Sequence, residues 1–169
     1  MKWIVKMMLV LLMCLPVQSW AFPNEPNGFR DLYWGESLEE VQRTRTLRFI
    51  DTNNMVHADR YWADLREDEE TVLSGIPIDG KLLGLAFQQN KLIAVGIIFQ
   101  DIDNNWDYLK GAMERLYGPA TFGGGNYVWP GNQTVMLLER DFSSHRILLS
   151  VIDASWLLET VQKTDKMGW

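Results

Sequence analysis

The chain has 169 residues, of which 16 are Lys or Arg and 22 are Asp or Glu, so its formal net charge at pH 7 is −6. This acidic balance argues against nucleic acid or an anionic membrane surface as a partner, because like charges repel. Hydrophobic residues make up 47% of the chain and aromatic residues 12%, which excludes an intrinsically disordered protein.

The first 21 residues have the three-part pattern of a secretory signal peptide. Two lysines form a basic start, an apolar run follows at residues 7–17, and Ser19 and Ala21 place small residues before a cleavage site. The apolar run is too short to span a bilayer, which needs about 20 such residues. We therefore predict cleavage between Ala21 and Phe22, a periplasmic or secreted product, and no stable membrane insertion after cleavage.

Cys14 leaves open a second interpretation of this segment, as a lipoprotein signal. Lipoprotein signals have a small residue before the lipidated cysteine, whereas this chain has Met13, so we favour simple cleavage. A buried N-terminal helix is a third interpretation, and the flanking lysines argue against it. Because Cys14 is the one cysteine of the chain, residues 22–169 have no disulfide and no thiol chemistry, and we expect them to form a single domain.

The first part of this domain predicts a helix followed by strands. Residues 22–28 hold two prolines and several turn-forming residues, which predicts a flexible lead-in. Ser37 and Glu40 have the spacing of a capping box, which predicts a short helix over residues 38–43. Residues 45–65 are rich in β-branched and aromatic residues around two asparagines, which favours two strands and a turn.

The next segment predicts a β-hairpin. Leu83, Leu85 and Phe87 alternate with other residues before the dipeptide Gln89-Asn90, and a second alternating apolar run follows at residues 93–99. A short polar turn between two runs of period two is typical of a hairpin.

Residues 101–107 place aspartates at alternating positions, as a calcium-binding loop does. An EF-hand loop that starts at the first aspartate needs Gly at its sixth position and Glu at its twelfth, where this chain has Trp106 and Ala112. The spacing of apolar residues favours instead an amphipathic helix that is capped by an asparagine and ended by a Gly-Pro dipeptide. Its predicted buried stripe comprises Trp106, Leu109, Met113, Leu116 and Tyr117.

The last part of the chain predicts further strands and a helix. The triple glycine at residues 123–125 lacks the Gly-Lys-Ser/Thr ending of a phosphate-binding loop, so it predicts a turn before a short strand at residues 127–129. Two more strands are expected between residues 134 and 153, and Asp153 or Ser155 caps a final helix. This order predicts an α+β fold in which an antiparallel sheet carries short helices packed on one face. Each half starts with a short helix and continues into strands, without a residue-level repeat.

Leu116, Gly118, Pro119 and Trp129 lie in a helix-then-strands segment, residues 109–138. This segment resembles small bacterial envelope domains of the BamE/SmpA type, whose amphipathic helix ends in a Leu-Gly-x-Pro-like turn before strands with a tryptophan. β-lactamase-inhibitor-like domains share the same plan. The resemblance implies an α+β envelope protein that works by contact, and it identifies no active site.

Histidines are the main candidates for catalysis, and the chain has two, His57 and His145. The stretch from Asp141 to His145 contains the residue types of a catalytic triad, but a triad combines distant segments and a polar turn explains the stretch equally well. His57 and Asp59 share a strand face, yet a metal needs a third ligand that the sequence does not indicate. The acidic run at residues 67–70 is typical of a solvated loop. We therefore predict no catalytic, metal or cofactor site.

Aromatic residues beside polar stretches favour a contact function. Tyr61, Trp62 and Trp129 lie in strand-like segments next to polar residues, and such side chains are enriched in binding hot spots. We predict that these three contribute to a partner-binding surface; the other interpretation places the tryptophans in the core. The leading hypothesis is a periplasmic interaction or accessory protein with an envelope protein as its partner. The alternative is a small hydrolase that acts on envelope polymers.

Overall fold

The computed structural model describes residues 22–54 and 56–166, with side-chain burial described as far as Gln162. The predicted signal segment and Ala21 lie outside these ranges, so cleavage and export stay predictions. In the described ranges no helix is both long enough and apolar enough to cross a membrane.

Strands make up most of the regular structure. The main strands are β3 (Leu47–Asn53), β4 (Ala58–Asp64), β7 (Leu82–Gln88), β8 (Lys91–Gln100), β9 (Thr121–Gly123), β10 (Asn126–Trp129), β11 (Thr134–Asp141) and β12 (Arg146–Asp153). Two short hairpins are formed by β1 (Gly28–Phe29) with β2 (Leu32–Tyr33) and by β5 (Val72–Leu73) with β6 (Ile76–Pro77). The helices are α1 (Leu38–Gln42), α2 (Asn105–Tyr117) and α3 (Ala154–Lys166), and a single 3-10 turn spans Asp79–Lys81.

The main strands form one antiparallel sheet in the order β3-β4-β7-β8-β12-β11-β10-β9. The sheet consists of two four-stranded meanders that meet where β8 pairs with β12. α1 precedes the strands of the first meander and α2 precedes those of the second. The sequence-predicted α+β class and the antiparallel sheet are confirmed, and the weak echo between the two halves corresponds to a repeated helix-plus-four-strands architecture.

One face of the sheet carries the main hydrophobic core. Alternate residues of the central strands point into it, including Leu85, Ile97 and Leu149. α1 and α2 cover this face with Val41, Leu109 and Met113. The stripe predicted for α2 is confirmed at these last two residues. It is wrong at Leu116, which is 49% exposed because it lies at the outer side of the last turn.

The third helix packs on the opposite face of the sheet. Val135 and Ile152 are neighbours in the strand register, and they form a second cluster with Ala154 and Leu157 of α3. Asp153 caps this helix as predicted, because its Oδ1 accepts a hydrogen bond from the backbone N–H of Ser155 at 2.9 Å. α1 and α2 therefore pack on one face of the sheet, as predicted, whereas α3 covers part of the opposite face.

The segment at residues 22–28 is packed, which corrects the prediction of a flexible lead-in. Phe22 is buried and its ring meets that of Tyr117 with 5.5 Å between centroids. The Glu25 carboxylate accepts hydrogen bonds from the backbone N–H groups of Gln133 and Thr134. These contacts reach more than 100 positions along the chain, so local composition gives no sign of them.

The acidic run at residues 66–70 is also only partly the solvated loop that the sequence predicts. Glu67, Asp68 and Glu70 are exposed. Glu69 turns inward and forms an ion pair with Arg45, whose side chain is fully buried. One residue of the run is therefore part of the folded interior.

Candidate functional site

Tyr61 and Trp62, two of the residues predicted to form a contact surface, lie on opposite faces of the sheet. They are consecutive on β4, where successive side chains alternate, and their cross-strand partners on β7 are Leu85 and Gly84. Tyr61 is partly buried against Phe87, with 5.7 Å between ring centroids, on the core face. The two aromatic side chains therefore do not belong to one surface.

Trp129 is a core residue, which corrects its assignment to a contact surface. It is 1% exposed, and its Nε1–H donates to the backbone oxygen of Gly118 at 2.8 Å. Its position opposite Met136 points it to the core face. Trp129 therefore stabilises the turn after α2 and is not the contact residue that the sequence predicted.

A continuous row of aromatic side chains lies where α2 meets the β9 edge of the sheet. We call Trp106, Phe122, Tyr127 and Phe142 the aromatic strip. Tyr127 lies between Trp106 and Phe122, with ring centroids 5.6 and 4.9 Å away. The Arg140 guanidinium joins Phe142 to this row, at 5.7 Å from the Trp106 centroid and 5.0 Å from that of Phe142. Phe122 and Phe142, at the two ends of the strip, are 61% and 71% exposed, whereas Trp106 and Tyr127 between them are partly buried against the main core.

Strand register and a tight turn position the members of the strip. Phe122 and Tyr127 are direct cross-strand partners in the β9–β10 hairpin, whose turn is made by Gly124 and Gly125 with positive φ. Phe142 lies in the β11–β12 turn next to Asp141. The carboxylate of Asp141 accepts hydrogen bonds from the side chains and backbone of Ser143 and Ser144, which lower its pKa to about 2.

Two cations beside the strip are paired with acids. Arg140 donates two hydrogen bonds to Asp101, at 2.6 and 3.1 Å, and Lys110 forms an ion pair with Glu114 at 3.3 Å. Asp101 is the first aspartate of the calcium-like pattern, and the structure uses it to hold Arg140 between two rings. These pairs neutralise both cations, whereas the ionised Asp141 beside Phe142 is held by hydrogen bonds from serines.

The two edges of the sheet differ in how well they are protected. β3, at one edge, has a bulge between Phe49 and Asp51, and its charged residues form ion pairs with β4. Bulges and charges are devices that prevent further strand pairing. β9, at the other edge, carries no charge, and its length of three residues is the feature that limits further strand pairing. The outer side of β9 has no strand partner within the described part of the chain. Phe122 of the aromatic strip is the central residue of this strand.

The two histidines are at opposite ends of the sheet. His57 precedes β4, and the start of β4 lies beside the end of β7. His145 precedes β12, and the start of β12 lies beside the end of β8, which is the other end of the sheet. The ten residues of β8 span roughly 30 Å at about 3.3 Å per residue. Asp141 bonds to serines within its own turn, so the stretch that contains triad residue types forms a turn.

Groups of three or more His, Cys, Asp or Glu side chains suited to hold a metal ion are absent from the described residues. The three acids of the calcium-like pattern lie apart in function: Asp101 forms an ion pair, Asp103 precedes α2, and Asp107 is in the first turn of α2. α2 begins at Asn105, which confirms the helical interpretation, but Asn104 at its start makes no capping hydrogen bond with its side chain, which corrects the predicted asparagine cap.

The sequence did not single out the strip residues. Trp106 was expected within a buried stripe, and it is partly buried beneath Arg140. Phe142 is the member of the strip that the sequence indicates most clearly, because a large aromatic residue in a polar turn between two strands has little to pack against. Phe122 and Tyr127 become neighbours only through the two-glycine turn between them.

The fold defines an α+β protein with a mainly antiparallel sheet, and the exposed aromatic strip is its most distinctive surface. No protein family, curated protein or solved structure matches the chain. The resemblance to envelope domains of the BamE/SmpA type therefore stays a prediction from the sequence.

Proposed function

We propose that this protein is an exported accessory protein of the bacterial envelope that binds a second envelope protein through the aromatic strip. The location rests on the N-terminal signal pattern. The mode of action rests on one observation: four aromatic side chains form a continuous row that ends in Phe122 and Phe142, both more exposed than buried.

The energetics of protein interfaces support this proposal. Aromatic residues and arginine are enriched among the residues that dominate binding energy, and the row combines both. The contacts between the tilted rings and the ion pair between Arg140 and Asp101 hold the row in place before binding, which reduces the entropy lost on association. Leaving such rings in water brings no benefit to the isolated domain.

The partner that fits this surface is an extended segment of another protein. A segment that pairs with the outer edge of β9 gains main-chain hydrogen bonds, and its alternate side chains lie against Phe122. Apolar or aromatic side chains are expected at those alternate positions, because Arg140 and Lys110 are already paired with acids of this chain. The β3 edge also carries an exposed aromatic residue, Phe49 beside Tyr61, but its bulge and its ion pairs with β4 disfavour further strand pairing.

The test is site-specific photo-crosslinking in the living cell. A benzophenone amino acid replaces Phe122 or Phe142 in turn, and the crosslinked protein is identified by mass spectrometry. Phe49 is the matched control, because it is a phenylalanine on the opposite edge strand with 60% exposure against 61% for Phe122. We expect the same envelope protein to be captured from positions 122 and 142 but not from position 49.

The captured partner is then purified and titrated with the variants. Phe122→Ala and Phe142→Ala are expected to weaken its binding at least about tenfold, and Phe49→Ala to leave it unchanged. The proposal fails if the strip variants bind as well as the original protein. It also fails if the crosslinked product is a second copy of this chain, which would make the strip a self-association surface.

A further inference from the structure

A cleft between Trp34 and Trp156 opens at the end of the sheet opposite the aromatic strip. It is half open to solvent and has a volume of about 420 Å³, within the roughly 300–1,000 Å³ of small-molecule sites. Trp34 follows β2, Trp156 lies in the first turn of α3, and residues at the β7–β8 turn also line the cleft. Nothing in the proposed partner-binding function uses this cleft.

Both indole rings are fixed by hydrogen bonds to the protein. Trp34 Nε1–H donates to Thr134 Oγ1 at 2.8 Å, and Trp156 Nε1–H donates to Gln88 Oε1 at 2.7 Å. Because their N–H groups are satisfied, the rings contribute apolar surface to the cleft. Such flat, preformed surfaces suit a ligand that has an apolar face of its own.

One wall of the cleft is built by the turn between β10 and β11. Glu25 accepts the backbone N–H groups of Gln133 and Thr134, and Thr134 Oγ1–H in turn donates to the Pro26 carbonyl at 2.5 Å. Gly131 lies so close to Glu25 that a Cβ atom has no room there. The wall therefore has its shape before any ligand binds.

The polar lining consists mainly of uncharged amides. Asn27, Gln89, Asn132 and Gln133 line the cleft, and their exposed side chains bond to no other group within the described part of the chain. An amide both donates and accepts hydrogen bonds, which matches the hydroxyl group, because a hydroxyl also does both.

The charges of the lining argue against an anionic ligand. Lys91 is its single cation, which is too little for a phosphate or a polyanion when Asp153 and Glu159 also line the cleft. Asp153 is already engaged in capping α3. An uncharged ligand that is rich in hydroxyl groups and apolar on one face matches the amides and the two indoles of the lining.

We propose that this cleft binds a neutral saccharide of one or two rings. The C–H face of a sugar ring lies against the indoles of Trp34 and Trp156, and its hydroxyl groups bond to the amides of Asn132 and Gln89. A free sugar and the end of an envelope glycan share this chemistry, and the experiment distinguishes them.

The test is an NMR titration of residues 22–169 labelled with ¹⁵N, with cellobiose and N,N′-diacetylchitobiose as probes. The tryptophan indole N–H signals report directly on the site. We expect a saturable shift of the Trp34 and Trp156 signals with a disaccharide, and no shift of Trp129, which is buried elsewhere. Inorganic phosphate and triglycine are the negative probes.

Variants of the amides separate binding from folding. Asn132→Ala combined with Gln89→Ala removes exposed groups without internal bonds, so the protein stays folded and its affinity for the disaccharide is expected to fall at least fivefold. Gln42→Ala, an exposed amide on α1 outside the cleft, is the matched control and keeps full affinity.

Three outcomes overturn the proposal: no saturable shift with either disaccharide, equal shifts with phosphate or triglycine, or equal losses in the Gln42→Ala control. Co-sedimentation with insoluble envelope glycan then assigns the source. Glycan binding that the double variant loses identifies a polymer ligand, whereas disaccharide binding without co-sedimentation identifies a free sugar. These measurements are independent of Phe122 and Phe142, so they succeed or fail separately from the partner-binding proposal.

Discussion

Arg45 and Glu69 form a two-point ion pair inside the protein. Arg45 Nη1 and Nη2 donate to the two carboxylate oxygens of Glu69 at 2.8 and 2.6 Å, and the side chains are 0% and 6% exposed. Arg45 also donates to Asp31 in the turn between β1 and β2. The pair therefore ties together the end of α1, the first short hairpin and the loop after β4.

The first prediction is that Glu69→Gln destabilises the protein in a pH-dependent way. Burial alone raises the pKa of Glu69, but hydrogen bonds from Arg45 and the Arg66 backbone outweigh this effect and lower it to about 2. Because the pKa is lower in the folded state, ionised Glu69 stabilises the fold above pH 4.5, and this contribution disappears as the pH falls towards 2. We expect a loss of roughly 3 kcal/mol at pH 7 that shrinks below pH 4.

Urea unfolding at pH 7, 5 and 3 measures this difference. Glu67→Gln is the control, because Glu67 is an exposed acid of the same run, and its effect is expected to stay within about 0.5 kcal/mol at every pH. A destabilisation by Glu69→Gln that is equally large at pH 3 and pH 7 would contradict the assigned role of the ionised carboxylate.

The second prediction compares two leucines of α2. Leu109 is fully buried in the main core, so Leu109→Ala is expected to lower the free energy of unfolding by about 2–5 kcal/mol. Leu116 is half exposed on the same helix, so Leu116→Ala is expected to cost less than about 1 kcal/mol. Thermal and urea unfolding of both variants provide the measurement, and equal losses would mean that the helix packs in another orientation.

The third prediction compares two glycines. At Gly131, a Cβ atom lies 2.5 Å from the backbone oxygen of Thr134 and closer still to the Glu25 carboxylate, so Gly131→Ala is expected to cost about 1–3 kcal/mol. At Gly111, inside α2, the nearest atom is the Arg115 Nη1 at 3.5 Å, so Gly111→Ala is expected to stabilise by about 0.5–1 kcal/mol. We expect the melting temperature to fall for Gly131→Ala and to rise for Gly111→Ala, and a shift of the opposite sign would contradict the prediction for that glycine.

The fourth prediction concerns the N-terminus. The signal pattern predicts that the exported protein begins at Phe22, and the intact mass of protein isolated from the periplasm tests this directly. A product that still starts at Met1, or one that carries lipid on Cys14, would show that the signal interpretation is wrong.

Local patterns were sufficient to predict most of the elements. The alternation around Gln89-Asn90 predicts the β7–β8 hairpin, whose two turn residues have the positive φ angles of a tight turn. The spacing of Ser37 and Glu40 predicts a capping box that the structure contains in both of its hydrogen bonds. These signals involve residues a few positions apart, so the chain determines them before any tertiary contact forms.

The sequence by itself therefore determined the antiparallel α+β character of this protein, the helix over α2 and the cap of α3. Tertiary structure alone decided that Trp129 is buried, that Glu69 points inward and that Phe122, Tyr127, Trp106 and Phe142 form one surface. The physical reason is the distance along the chain between the residues that interact. Periodicity shows that a strand or helix has two different faces, but which face meets the core depends on segments that pack against it from far along the chain.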